Sequence, residues 1–335
     1  MFQKTIILSI FISLLILVSC KKDKGSSPDG SPIDLQGIKA EYMGNISYNV
    51  YSETKFDIWM PDSKNPTGLL IYIHGGGFTG GDKSVVYEKD KWDFPTEIRT
   101  LLINGIAVAS INYRLLKQSG EDEGIIKCFN DSRRALQYIR FHADVYNIDK
   151  TKIVLSGTSA GAGIALWIGV NDDMQDPLNS DSVLWESTKV NGLAIRETQC
   201  SYNIEDKWIN EVFVDYGISW NDFLSANEDR IFQLYGVANL TEYESPATDS
   251  YRSSVDMLEF FTFDDPDIWA ENILTKVQAP TTSGIANHHA FHVREIKEKA
   301  DLMGIDNICY YGMDPIIYSD ATKESYIGFI VRNTN

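Results

Sequence analysis

Ser159 stands in the pentapeptide GTSAG, Gly157 to Gly161, behind the apolar run KIVLS and ahead of the helix-forming AGIALWIGV. This is the spacing G-x-S-x-G. Glycines on both sides let a strand turn sharply into a helix, on a strained backbone, so that the serine hydroxyl stands clear at the helix N-terminus. Such a hydroxyl becomes nucleophilic near neutral pH only when a base takes its proton. The search for chemistry is therefore a search for a base, for a carboxylate to orient it, and for donors that stabilise a developing oxyanion.

A second stretch supplies the donors. IHGGGFTGGDKS, Ile73 to Ser84, follows an apolar run directly, and its three successive glycines leave backbone N–H groups free to converge on a negative oxygen. It lacks the GxxxxGK[ST] spacing of a phosphate-binding loop. The base must come from five histidines: His74, His142, His288, His289 and His292. The one cluster among them is NHHAFH, Asn287 to His292, which makes His288 or His289 the candidate base. His142, midway along an amphipathic pattern, reads as a surface or packing residue. TFDDPDIWAENILTK offers Asp264, Asp265, Asp267 and Glu271, of which Asp267 and Glu271 are the candidate orienting acids. A metal is a weaker reading of the histidine cluster. His288 and His292 lie four apart, but no HExxH is present and no third ligand is spaced nearby, so neither metal nor cofactor is expected.

These residues need a scaffold that brings them to one edge. NISYNVYS and KFDIWMP read as an antiparallel pair, while GLLIYIH, GIAVASINY, KIVLSG and VNGLAI are solidly apolar runs of the kind a buried parallel sheet requires. NICYYG, Asn307 to Gly312, reads as the last strand. Between the strands lie helical patterns, clearest in DSRRALQYIRFHADVYN, where Ala135, Ile139 and Ala143 share a face and Arg133, Arg134 and Arg140 lie off it. Strand and helix in alternation predict a three-layer α/β fold with a mostly parallel sheet and helices on both faces. Ligands in such a sheet bind at the C-terminal ends of the strands, where the serine and the glycine loop both fall. After the sixth strand comes a helical excursion at about 199–256, rich in aromatics: Trp208, Phe213, Tyr216, Trp220, Phe223, Phe232 and Tyr235. It reads as a lid over the sheet edge or as its own small core.

HGGGF at His74 to Phe78, NYRL at Asn112 to Leu115, DSRRALQYIR from Asp131, NIDKTKIVLSGTSAGA from Asn147 and DPLNSDSVLWESTKVNGLAI from Asp176 together carry a resemblance. From about Tyr48 onward the chain resembles the α/β-hydrolase superfamily, in its HGGG-type esterase and lipase branch, the hormone-sensitive-lipase-like and feruloyl-esterase-like carboxylesterases. The resemblance implies Ser159 as nucleophile and the N–H groups of Gly76, Gly77 and Ala160 as oxyanion hole. His74 is then structural beside the site, as is Phe78. The chain departs from the family at its C-terminal part. The base there follows the last strand, yet the loop after NICYYG reads MDPIIYSDATKES, without a histidine.

The first twenty residues, MFQKTIILSIFISLLILVSC, form a targeting segment whose LVSC ending resembles a lipobox, with Cys20 as the lipidated residue. KKDKGSSPDGSP behind it reads as a flexible tether. The expected organisation is a signal peptide at 1–20, a tether at 21–44 and one hydrolase domain at 45–335. It places the protein in the cell envelope, at the outer membrane or the periplasmic face, held by lipid at Cys20. Cys128, Cys200 and Cys309 are too widely spaced for a disulfide framework and are expected as buried thiols. The net charge of −17 repels nucleic acid and anionic headgroups and points to a small neutral or cationic substrate. Two functions fit. One is a serine carboxylesterase acting on a small-molecule or polysaccharide-linked ester. The other is a degenerate hydrolase that binds a ligand or carbohydrate without turnover, its base having been lost.

Overall fold

The computed structural model describes residues 30–313 and 316–335. The targeting segment and Cys20 lie outside the described residues. Among those described, nine strands form one sheet in the order β1-β2-β4-β3-β5-β6-β7-β8-β9. The strands are β1 Ala40–Ser47, β2 Lys55–Pro61, β3 Thr67–Ile73, β4 Ile106–Ile111, β5 Ile148–Thr158, β6 Gly192–Arg196, β7 Asp267–Asn272, β8 Asn307–Tyr311 and β9 Tyr318–Ser319. The centre, from β4 to β8, is parallel. Only β1, β2 and β9 pair antiparallel, at the two edges.

The central strands are apolar throughout because both faces are covered. Leu69, Ile71 and Ile73 point into one core, against the helices Ile126–Phe141, Ala160–Val170 and Phe291–Met303. Leu70, Tyr72 and Val154 point into the other, against Phe94–Ile103 and Tyr326–Thr334. Ala160–Val170 is buried on every side, and its run of small and apolar residues has no polar stripe to turn outward. Among the described residues no helix is long and apolar enough to cross a membrane.

Several expectations are corrected. The tether does not extend to residue 44. Ile33 and Leu35 are buried in the second core, Trp59 Nε1–H donates to Ser31 Oγ at 3.0 Å, and β1 begins at Ala40. β1 lies earlier than the run NISYNVYS, whose second half is the turn into β2. Arg140 is buried, its guanidinium bonded to the carbonyls of Ser187 and Lys189. His142 is not mid-helix but caps the helix Ile126–Phe141, its Nδ1 at 2.9 Å from the carbonyl of Tyr138. The three described cysteines are free and buried. The excursion after β6 forms a π-helical stretch at Ile204–Val212 and a helix at Trp220–Tyr235, with Trp208, Phe213, Phe232 and Tyr235 buried in its packing.

Candidate active site

β5 ends at Thr158 and the next helix begins at Ala160, so Ser159 alone makes the turn. Its φ of 55° and ψ of −122° lie where L-residues are rare, at a cost of roughly 1–3 kcal/mol. Two backbone bonds hold it there: its N–H donates to the carbonyl of Arg196, and its carbonyl accepts from the N–H of Gly163, both at 3.0 Å. The flanking glycines permit the packing around it. A Cβ on Gly157 would lie 2.4 Å from the backbone of Gly161, and one on Gly161 would lie 2.0 Å from the carbonyl oxygen of Ile73.

Ser159 Oγ lies 2.8 Å from His288 Nε2. His288 caps the short helix Ser283–Asn287, in the loop after β7 and not after the last strand. Burial pulls its pKa below the ordinary 6.5, and the nearby Lys91 ammonium pulls the same way. A neutral imidazole at this distance can accept the serine proton. The two neighbouring histidines face elsewhere. His289 Nε2 sits 3.1 Å from the Tyr216 hydroxyl, its Nδ1 accepts the Phe291 N–H, and burial takes its pKa down to about 4. His292 is fully buried, with Nε2 at 2.8 Å from the Ala286 carbonyl and Nδ1 at 3.3 Å from Cys200 Sγ. Both its ring nitrogens are engaged, so it cannot share an ion with His288.

The structure does not bring either expected acid to His288. Asp267 opens β7 level with Gly192, four residues short of the edge where Ser159 sits, about 13 Å away along the strand, and it pairs with Arg332. Glu271 reaches the right edge, but its side chain turns to the other face of the sheet, where it pairs with Arg196 at 3.3 Å. The carboxylate that does stand at this edge is Glu197, the residue after β6. It is buried, with a φ of 51°. Its N–H donates to the Glu271 carbonyl, and its Oε1 accepts from the N–H groups of Ile273 and Leu274 at 3.0 and 3.1 Å. Gln199 ties this residue to the histidine loop, donating to the Glu197 carbonyl at 3.4 Å and to the Asn287 carbonyl at 2.6 Å. Burial raises the Glu197 pKa to about 7, against the two backbone donors that lower it. Among the described residues no acceptor lies within hydrogen-bond distance of His288 Nδ1.

The glycine loop begins at His74, which is buried and stacked on Tyr113 with ring centroids 4.4 Å apart. His74 Nδ1 bonds the Gly75 carbonyl, and the Tyr113 hydroxyl donates to the His74 carbonyl. Gly76 has a φ of 104°, and a Cβ there would lie 2.3 Å from the Gly80 carbonyl. Phe78, also at positive φ, is buried against Phe129 and Tyr202. Among the described residues the N–H groups of Gly76, Gly77 and Ala160 meet no acceptor. Gly77, Ser159 and Ala160 open onto a cavity of about 140 Å³ whose far wall is the excursion, including Trp208, Phe223 and Arg230. Sequence reasoning passed over Glu197 and Arg230. The first carried a signal, an acid at the C-terminal end of a parallel strand. The second sits inside an aromatic-rich helical stretch whose spacing gives it no distinction.

The arrangement has counterparts. The chain is 30% identical over 113 residues to a chlorogenic acid esterase of Aspergillus niger, covering 31% of this chain and 21% of that protein. It is 28% identical over 148 residues to a probable isoprenylcysteine alpha-carbonyl methylesterase of Arabidopsis thaliana, covering 44% of this chain and 29% of that protein. The chain thus spans less than a third of these curated relatives. Among solved structures it superposes on a truncated carbohydrate esterase from gut microbiota with a TM-score of 0.61 at 18% identity, over 87% of this chain and 90% of that one. It also superposes on a thermophilic esterase of Thermogutta terrifontis with a TM-score of 0.55 at 16% identity, over 84% and 83%. These superpositions establish the fold, and residues 56–259, more than half of the chain, match the model of one family. By that match the chain belongs to the BD-FAE family, within the esterase and lipase type of α/β-hydrolase.

Proposed function

We propose that this protein hydrolyses carboxylic esters, with Ser159 as nucleophile, His288 as base and the N–H groups of Gly76, Gly77 and Ala160 as oxyanion hole. The observation that carries the reading is the 2.8 Å contact between Ser159 Oγ and His288 Nε2. In the first half-reaction Ser159 Oγ attacks the ester carbonyl carbon as its proton passes to His288 Nε2. The carbonyl oxygen becomes negative among N–H groups that have no other acceptor. Collapse expels the alcohol, which takes the proton back from His288. Water, deprotonated by the same imidazole, then releases the acid. Glu197 is the buried carboxylate at the same sheet edge; its Oε1 is taken by the N–H groups of Ile273 and Leu274, and it makes no hydrogen bond to His288.

The reading without turnover loses its ground, because it rested on a missing base and His288 supplies one from another loop. The substrate class is a small-molecule or polysaccharide-linked ester, supported by the likeness to esterases and carbohydrate esterases. The site of action is the cell envelope, with lipid on Cys20, supported by the LVSC ending of the targeting segment.

The test compares His288→Ala, His289→Ala and Ser159→Ala on short-chain esters. His288→Ala should fall to the Ser159→Ala floor, a loss on the order of 10⁴-fold or more in kcat, while His289→Ala keeps most of its turnover. Full activity in His288→Ala would remove it as the base.

A further inference from the structure

The cavity beside Ser159 contains a cation with no counter-charge. Arg230, on the helix Trp220–Tyr235, lines it together with Gly77, Ser159 and Ala160. Of the five N–H donors on its guanidinium, one bonds the Gly77 carbonyl and another bonds Gln233 Oε1 at 2.6 Å. Both acceptors are neutral. Among the described residues no carboxylate lies within 4.0 Å of Arg230, although twenty-two such ion pairs involve other side chains. Burial holds its pKa below the ordinary value, opposed by Tyr202 and Cys128. Its neighbours on the excursion include carboxylates in plenty, Glu228 and Asp229 directly before it, but these are exposed and face away from the cavity.

A guanidinium in a low-dielectric pocket is expensive to leave unpaired, and a chain of net charge −17 had many acids available to pair it. Charges on the outer surface are screened within about 8 Å at physiological salt, so the cavity wall responds to Arg230 more than to the surrounding acidity. Net charge therefore does not decide which charge this cavity accepts.

The shape of the cavity says which part of the ester meets the cation. Its volume, about 140 Å³, matches an engineered cavity of about 150 Å³ that accepts a benzene ring. It is walled by the excursion. The alcohol has to leave, whereas the acyl group remains on Ser159 through the intermediate and needs the walled space. We infer that the acyl group of the preferred substrate ends in a carboxylate that pairs with Arg230: a half-ester of a short dicarboxylic acid. This rests on the reading of Ser159 and His288 as an ester-hydrolysing pair.

The experiment uses two isosteric esters, monoethyl succinate and ethyl 4-methylpentanoate, which differ in a carboxylate against an isopropyl group, with ethanol release as readout. Wild type should favour the succinate ester by roughly tenfold or more in kcat/KM, the discrimination a charge-assisted hydrogen bond provides. Arg230→Met should collapse that ratio to below one, and Arg230→Lys should retain part of it. Binding of free succinate to the wild type, measured by calorimetry, should be detectable and lost in Arg230→Met, whatever the turnover. Ser159-dependent hydrolysis of both esters without preference overturns the inference and leaves the esterase reading standing. An equal loss on both esters in Arg230→Met, with no succinate binding to the wild type, overturns it in favour of a residue that only positions the Gly77 carbonyl. Succinate binding without Ser159-dependent turnover of either ester supports the inference about Arg230 and sinks the esterase reading.

Discussion

Glu197 joins three unfavourable features in one side chain: a positive φ without being glycine, nearly complete burial, and a carboxyl group whose pKa is raised to about 7. Strain and desolvation of this kind persist where the surroundings over-determine them, as sites of chemistry do. The sign of the linkage follows from the direction of the shift. A carboxyl whose folded pKa lies above its unfolded 4.5 adds stability that is present at low pH and lost as pH rises through about 7. Glu197→Gln should therefore stabilise the protein relative to wild type by a growing margin between pH 5 and pH 8, reaching about 2–3 kcal/mol. Thermal melts across that range check it. An equal melting difference at all pH values would show that the carboxyl is not the titrating group. Sequence could single out the turn at Ser159 because a strand-to-helix turn is local, written within five residues. It could not separate His288 from His289, which are adjacent and alike. One caps a short helix and reaches Ser159, and the other is drawn to Tyr216 by the excursion. Nor could it select Glu197, because the donors that fix its carboxylate, Ile273 and Leu274, come from the loop after β7, more than seventy residues away.

At the scale of elements, the site depends on one close approach. The helix after Ser159 meets the end of β3 so tightly that a methyl group on Gly161 would fall 2.0 Å from the Ile73 carbonyl and 2.6 Å from that of His74, both backbone atoms. Neither can give way without moving the glycine loop. Gly161→Ala should lower stability by on the order of 3 kcal/mol and displace the loop, so that labelling of Ser159 by a fluorophosphonate slows with it. Circular dichroism melts and gel fluorescence measure the two effects. An unchanged melting temperature would mean the contact is looser than the structure has it. The parallel strands were legible for the same reason they are stable, since burial on both faces leaves no room for polar residues. β9 was not legible, being two residues long and formed only by pairing with Tyr310 and Tyr311. The packed segment before β1 was missed because Gly, Ser and Pro dominate its composition, although Ile33 and Leu35 alternate as a half-buried strand would.

For the molecule as a whole, the earlier start of packing shortens the distance from an anchor. Between Cys20 and Gly30 lie nine residues, so that the two are at most about 35 Å apart when the chain is fully extended. A lipid on Cys20 would thus hold Gly30, where the described residues begin, within a few nanometres of the bilayer and not on a long leash. Cys20→Ala should shift the protein from the membrane fraction to the soluble fraction of the envelope, and membrane retention of that variant would show another anchor.

The helix Tyr326–Thr334 lies across β3, β5 and β6, and its end presses so closely that a Cβ on Gly68 would touch the Thr334 carbonyl at 2.3 Å. Its first residue reaches the underside of the site, with the Tyr326 hydroxyl 2.7 Å from Ser156 Oγ and its ring beneath the Arg196 guanidinium. On a ribosome it emerges after every other described element. Until it does, only Phe94–Ile103 and the segment before β1 cover this face of a sheet already covered on the other, and Arg196 lacks the Tyr326 ring. A chain that folds as it emerges therefore passes through a half-roofed state before this helix docks, the interval in which a chaperone has most to protect.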